Sequence, residues 1–572
     1  KKQKLFDRFK KFYDAFEGKN RINTLTDQLL NILHTVNSKS LMWMNLTAAL
    51  KNIGTGHINI VSEATGGEFT TKATLLKAHE MYIKALPSLW ASLGEYTCNN
   101  LDAALMKLAG NIFEDHIEAG VDTKTNIVSL GMSKWDNVMF APNTIGEHYL
   151  QFATFLSAMQ THRIVAGTIM NYDQFVFSLR ERLFRDMVDD ETYTKYKAYK
   201  DKQESVKGNN VEFIDYLSRF IAYRANNFTN EWKSNYAKAY KEGLKNARVE
   251  FEKNQVIYDA FELKDGIASI KAESNITLED FAKFLGKVKG VNHSLHGIYN
   301  TFDKSMLSGK MWGEVILQFR KWLRPNFIRY WGKRVGKIVF DERLESYRSG
   351  AYMDMINFLL SNGKSAYRET IDKAIENDED IDFATKAKAI FNGFCGLLYW
   401  FKDINFRYNT LPQAQKANIK RAMFNFTTLV GLSLVAASLY AAKDDDDELD
   451  ENRFFALACY TIYGIQTELY ETSPWGLYSF YKRTMEAPIP FETSMSNVLN
   501  LAYWTLIAPM IVDDEEMLYD RGTYKDEDKR WIAFKKTIPL FNQYNKMFYL
   551  PKNNTYYMQQ NPILQMIVEL NK

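Results

Sequence analysis

Met423–Ala442 (MFNFTTLVGLSLVAASLYAA) runs for 20 residues without a charge, and this segment constrains the fold more than any other. At about 1.5 Å per residue, a helix of that length reaches roughly 30 Å, the thickness of a bilayer core. Lys416, Lys420 and Arg421 precede it; Lys443, Asp444–Asp447, Glu448, Asp450 and Glu451 follow. Two readings stay open. One is a membrane-competent helix whose Lys/Arg side remains cytoplasmic on insertion; the other is the central helix of a large bundle, apolar all round because it is covered on every side. Leu429 and Gly431 lie in its middle. Ser433, Ala437 and Ala441 recur at four-residue spacing, a small-residue stripe suited to close helix contact. Ala389–Phe401 and Leu499–Val512 are also apolar but too short to span, and are expected as re-entrant, partner or buried segments.

The rest of the chain points to a mostly α class: an extended multi-helix assembly with long helices. Only 11 prolines occur, none between Pro142 and Pro325, so long uninterrupted helices are permitted there. Helical periodicity covers roughly 5–16, 22–53, 70–118, 147–188 and 211–256. Loops are expected at 54–67, 121–146 and 203–210. Residues 5–16 form a basic amphipathic face suited to a membrane surface, a partner groove or the core. One small β-hairpin is expected near 256–272, around Asp265-Gly266. Thr277 and Asp280 form a capping-box start for the next helix. Four regions follow: a helical 1–120, a middle region 121–276 ending in the hairpin, 277–442 with basic and aromatic helices leading to the apolar one, and a proline-punctuated 443–572.

Charge and chemistry narrow the function classes. The net charge of +3 gives no bulk field for nucleic acid. Cys98, Cys395 and Cys459 form neither a CxxC nor a disulfide framework. The start Lys1-Lys2-Gln3-Lys4 has no apolar run behind it, which argues against a secretory signal and leads us to expect a processed product or a piece of a longer chain. Between Lys310 and Lys337, eight basic residues face one acid, Glu314, with aromatics interleaved. Arg320, Lys321, Arg324, Arg329, Lys333, Arg334 and Lys337 are therefore candidates for phosphate or lipid contact; the competing reading has the aromatics in the core and the arginines paired with acids elsewhere. Pro325 is expected to break the helix after Leu323.

No nucleotide, hydrolase or zincin motif occurs in a supporting context. His293 and His296 share a helical face without a third ligand, and Glu114–Glu118 reads as a solvated face. Asp378, Asp380 and Asp382 alternate as a magnesium site would require, but Ile381 stands where a glycine is usual, and Asp382 suits a helix N-cap. The expectation is a chain without a catalytic site, cofactor or metal.

Two stretches carry a family resemblance. Gly297-Ile298-Tyr299-Asn300 leads through Gly309, Gly313 and Gln318-Phe319-Arg320-Lys321-Trp322 to Pro325. Gly522-Thr523-Tyr524-Lys525 leads through Lys529 and Lys535-Lys536 to Pro539. Both resemble large internal virion proteins of crAss-like podoviruses that infect gut bacteria. The resemblance implies a cargo or ejection protein stored in the capsid or tail lumen and delivered to the host envelope or cytoplasm during DNA ejection. Its implied partners are portal, tail or other cargo copies, phage DNA, and the host membrane after ejection. A structural portal or tail component, and a piece of a packaged RNA polymerase or nuclease, are the alternatives.

Overall fold

The computed structural model describes residues 46–91, 97–113, 133–176, 179–207, 217, 220–221, 228–296, 323–332, 339–341, 346–348, 350–360, 408–444, 453–474, 476, 492–512, 514–521 and 524–537. The protein is mostly helical with few strands. The elements are, in order, α1 (Leu46–Gly66), α2 (Lys72–Ala91), α3 (Leu101–Phe113) and α4 (Ser133–Thr161). Then come β1 (Arg163–Val165), β2 (Thr168–Met170), α5 (Tyr172–Phe175), α6 (Leu179–Met187), α7 (Asp190–Lys207) and α8 (Asn230–Glu252). They are followed by β3 (Gln255–Val256), β4 (Phe261–Lys264), β5 (Ile267–Ile270), α9 (Leu278–His296), α10 (Leu323–Trp331), β6 (Val339–Asp341) and β7 (Ser346–Arg348). The last helices are α11 (Gln413–Asp444), α12 (Arg453–Thr472), α13 (Glu492–Ala502) and α14 (Lys529–Thr537).

The helix enclosed by others is α1, which packs on α2, α4, α9, α11 and α12. The expected loop at 54–67 is therefore mostly helix. Its glycines serve close packing: a Cβ at Gly54 would sit 2.4 Å from Ile465 Cδ1, and one at Gly56 2.2 Å from Leu150 Cδ1. Helix α4 likewise occupies part of the expected loop at 121–146, and α7 reaches Lys207. The main core draws Ile60, Phe69, Leu105, Phe155, Met159, Phe281 and Phe284 from α1, α3, α4, α9 and the turn after α1. A second, aromatic cluster forms around Phe184, Tyr196, Phe220 and Tyr236.

The hairpin expected near 256–272 is present but shorter, as β4 paired with β5, while Val256 joins β1 in a separate sheet of order β2-β1-β3. Asp265 (φ 53°) and Gly266 (φ 77°) make its two-residue turn, which needs positive φ at both positions. A Cβ at Gly266 would also approach Thr97 Cβ to 2.7 Å. Gly266→Ala is accordingly expected to cost about 1–3 kcal/mol in urea unfolding; a change below ~0.5 kcal/mol would show that the turn tolerates a side chain.

Two strand pairs escaped the sequence reading. β1–β2 interrupts the helical pattern at 147–188, turning at Ala166 (φ 49°) and Gly167 (φ 79°), and β6 pairs with β7. An Ala-Gly turn lacks the Asn or Asp that marks such turns by residue type. The capping box at Thr277 does form: the Asp280 amide donates to Thr277 Oγ1 at 3.2 Å, and the Thr277 amide donates to Asp280 Oδ2 at 3.0 Å. Pro325 lies in the first turn of α10, where a missing N–H leaves no intrahelical bond unmade, so the helix starts at Leu323 instead of ending there.

Candidate functional site

Helix α11 contains the apolar segment, but its two faces are inverted relative to a surface helix. Asn418, Arg421, Ala422, Asn425, Leu429, Ser433 and Ala436 recur at helical spacing and are buried. This stripe packs on α1 and α12. Met423, Phe426, Val430, Leu434 and Val435 are its exposed large apolar residues, Leu434 at 59%. The helix thus turns Lys416, Asn418, Arg421, Asn425 and Ser433 inward and a row of large apolar residues outward.

The inward face is built around Arg421, 1% exposed. Its Nη2 donates to Glu63 Oε1 at 2.8 Å and to Glu68 Oε2, while Nη1 donates to Asn418 Oδ1 at 2.8 Å. Asn418 Nδ2 in turn donates to Asp354 Oδ2 at 2.7 Å. Arg329 enters from α10: Nη2 lies 3.7 Å from Glu63 Oε2, and Nη1 donates to Asn59 Oδ1 at 3.3 Å. Asn425 Nδ2 donates to the Tyr330 hydroxyl at 2.8 Å, and Gln466 Nε2 of α12 donates to Ser433 Oγ at 2.6 Å. Two carboxylates and two guanidiniums therefore tie α1, the turn after it, α10 and α11 together. Charges withdrawn from water must be matched by partners in good geometry, so this centre fixes which face of α11 points inward.

Lys416, near the start of α11, donates Nζ to the Asn409 carbonyl at 2.7 Å and lies 5.0 Å from the Tyr240 ring centre. Burial, reinforced by the charges of Arg180 and Lys420 and opposed by Asp173, pushes its ammonium down to about 8.

These observations correct the membrane expectation. Among the described residues no helix is long and apolar enough to cross a membrane. The physical reason lies in α11 itself: Arg421, Asn425 and Ser433 take hydrogen-bond partners from the protein, so the helix has a built protein-packing side. The central-helix alternative also needs revision, since α1 holds that position and α11 is covered on one face. Of the small-residue stripe, Ser433 is buried against α12; the side chains of Ala437 and Ala441 lie outside the described residues. Leu429 packs inward with Ile465 and Leu469, and Gly431 is exposed. Leu499–Val512 is not buried core: Leu499, Tyr503, Leu506, Ile507, Met510 and Ile511 are all exposed.

Among the basic candidates, Arg329 is the one whose side chain is described, and it points into the ionic centre with Tyr330 and Trp331 buried beside it. Arg324 lies on α10, and its side chain is outside the described residues, as are Arg320, Lys321, Lys333, Arg334 and Lys337. Asp378, Asp380 and Asp382, the 5–16 helix, Glu114–Glu118, Cys395 and Ala389–Phe401 lie outside them too. Cys98 and Cys459 are buried thiols that are not in a disulfide. His293 and His296 both sit on α9, and among the described residues no group of three His, Cys, Asp or Glu side chains is placed to hold a metal ion.

A histidine–tyrosine ladder, missed in the sequence, joins three helices. His57 of α1 stacks on His79 of α2 with ring centres 5.3 Å apart; the Tyr149 hydroxyl of α4 is 2.9 Å from His79 Nδ1, and Tyr82 of α2 pairs with His148 of α4 at 2.9 Å. Burial lowers the pKa of both His57 and His79, and the charge of His57 lowers that of His79 further.

Among the described residues His162 is the deepest histidine, 2% exposed, with Phe69 and Phe284 edge-on to its ring and Nδ1 donating to the Ala158 carbonyl at 3.0 Å. Burial, helped by Lys287 and opposed by that hydrogen bond, pushes its pKa from 6.5 to about 3. The unfolded chain therefore binds a proton here between those values while the folded chain does not. Stability is fully present above about pH 6.5 and is lost toward pH 3, at about 1.4 kcal/mol per pH unit from this one group. Urea unfolding at pH 7 and pH 5 should show that loss, with a smaller loss in His162→Gln; equal slopes in both proteins would count against it.

No family model, curated protein or solved structure matches this chain.

Proposed function

We propose that the chain is a virion cargo protein of the kind found in crAss-like podoviruses, stored against other virion proteins and delivered into the host during genome ejection. The observation that carries this reading is the inverted helix α11, whose exposed row of Met423, Phe426, Val430, Leu434 and Val435 is held outward by a charged centre behind it. A contiguous exposed apolar row marks a surface that works against a partner. A second exposed row, Leu499 to Ile511, extends the argument to the C-terminal helices. The sequence likeness in 297–325 and 522–539 supplies the virion context. Such a protein needs contact surfaces and a stable helical body, and has no need of turnover chemistry.

The test is quantitative mass spectrometry of purified particles before and after DNA release. Cargo is abundant in the filled particle and lost from the emptied one. Retention at unchanged stoichiometry would instead make it a structural portal or tail component, and absence from filled particles would remove the virion reading.

A further inference from the structure

We infer that the junction of α1, α2 and α4 is an acid-operated latch, in which protonation of the stacked His57–His79 pair releases the C-terminal half of α2 while the start of that helix stays docked. This inference stands apart from the proposed function and holds for the purified chain. Both rings are half-buried, and they face one another at 5.3 Å with 28° between their planes. His79 Nδ1 lies 2.9 Å from the Tyr149 hydroxyl, whose ring is 5.4 Å away on α4. Among the described residues, no carboxylate bonds to either imidazole. Stacked neutral rings attract, and one imidazolium on a neutral ring is tolerated. Two imidazoliums at this distance, each partly withdrawn from water, repel, and swinging His79 out into solvent relieves both the repulsion and the desolvation.

The neighbouring helices offer no compensating charge. On α2, Glu80 is paired with Lys84, and Lys77 donates to Gln160 of α4. From α12, Glu468 is taken by Lys51 and Thr55; from α3, Asp102 accepts from Tyr258. Helix α9 brings His296 beside Gly56, and α11 brings Arg421 to the far end of α1 at Gly66. Glu147 and His148 flank Tyr149 on α4, and His148 pairs with Tyr82. The charge that acts on His79 is that of His57, and it opposes protonation, as burial does for both rings. The two halves of α2 are held differently. Near its start, Thr74 Oγ1 lies 3.0 Å from Ser157 Oγ and 2.8 Å from Thr161 Oγ1 of α4, hydroxyl contacts that do not titrate in this range. Beyond them the polar ties to α4 run through His79 and Tyr82, and Pro87 lacks the N–H of an internal helix bond. Acid therefore loosens one half and spares the other, with Thr74 as the pin.

The experiment is hydrogen–deuterium exchange of the full chain read by mass spectrometry at pH 7.5 and pH 5, with labelling times scaled for the chemical exchange rate. Amide protection over 79–91 is expected to fall at pH 5 by roughly tenfold for each pH unit by which the pair's protonation lies below 6.5, while 72–78 keeps its protection. His57→Phe, which keeps a stacked ring but cannot take a proton, should abolish most of that fall; His162→Gln should leave it as in the wild type. Exchange of the histidine C2 hydrogens in the wild-type chain gives the protonation midpoints of His57 and His79 directly, and does not depend on any variant folding. One of them is expected to titrate at least tenfold more weakly than the other, as two coupled sites do. Unchanged protection of 79–91 at pH 5, a fall equal in His57→Phe, or two midpoints both near 6.5 would overturn the inference. So would a loss of protection shared by the whole chain, since that is global acid unfolding and not a latch.

Discussion

Replacing Arg421 with methionine is expected to lower the unfolding free energy by about 3–5 kcal/mol, because it leaves buried carboxylates without their main partner. Glu63 and Glu68 are 1% and 2% exposed, and both accept from Arg421 Nη2. Methionine fills much of the same volume, so the loss reports charge rather than a cavity. The cycle can be closed with Glu68→Gln. Glu63 keeps Arg329 at 3.7 Å in the double variant, whereas the Glu68 charge is gone. Arg421→Met with Glu68→Gln should therefore recover roughly half of the single-variant loss, a coupling that distant, independent sites would not show. Urea unfolding of the four proteins measures it. A single-variant loss under ~1 kcal/mol would mean that water reaches the centre and the ion pairs contribute little.

The second large effect is expected at Trp331, 1% exposed. Its ring packs 5.4 Å from that of Tyr352, and its Nε1 donates to the Thr472 carbonyl at 2.9 Å, joining the end of α10 to the end of α12. Trp331→Ala removes a large buried ring and should cost about 3–5 kcal/mol. Trp331→Phe keeps an aromatic ring but leaves the carbonyl without its indole donor, for a loss of about 1–3 kcal/mol. If the two substitutions prove equally costly, the hydrogen bond outweighs packing; if both fall under ~1 kcal/mol, the ring is not part of the cooperative core.

Both predictions concern residues whose importance was only partly visible in the sequence. Trp331 and Arg329 stood out in a basic, aromatic stretch that suggested phosphate contact. The alternative weighed beside it, aromatics in the core and arginines paired with distant acids, describes the side chains of Arg329, Tyr330 and Trp331. Arg421 was noted as a charge bounding the apolar segment, when it is the residue that orients the helix. The missed signal was the polar series Asn418, Arg421, Asn425 and Ser433, spaced by three, four and eight residues along one face. Read with helical periodicity, it marks a side that needs hydrogen-bond partners and hence a protein neighbour.

Local chemistry, which acts over a few residues, was settled by the sequence alone. It placed the β4–β5 hairpin at Asp265-Gly266 because that pair suits positive φ, and the start of α9 at Thr277 because a side chain three residues on could complete the cap. It also announced a mostly helical chain through scarce proline and 3.6-residue periodicity. The glycines of α1 misled it, since they are used for the approach of Ile465 and Leu150, side chains far away in sequence. Which face of α11 is buried could only be decided by tertiary structure. Arg421 meets Glu63 and Glu68 across sequence separations of 358 and 353 residues, and such a match of charges exists only once the helices are packed. Hydrophobicity by itself would have turned Leu434 inward; the energy of leaving two buried carboxylates and a guanidinium without one another turned it out.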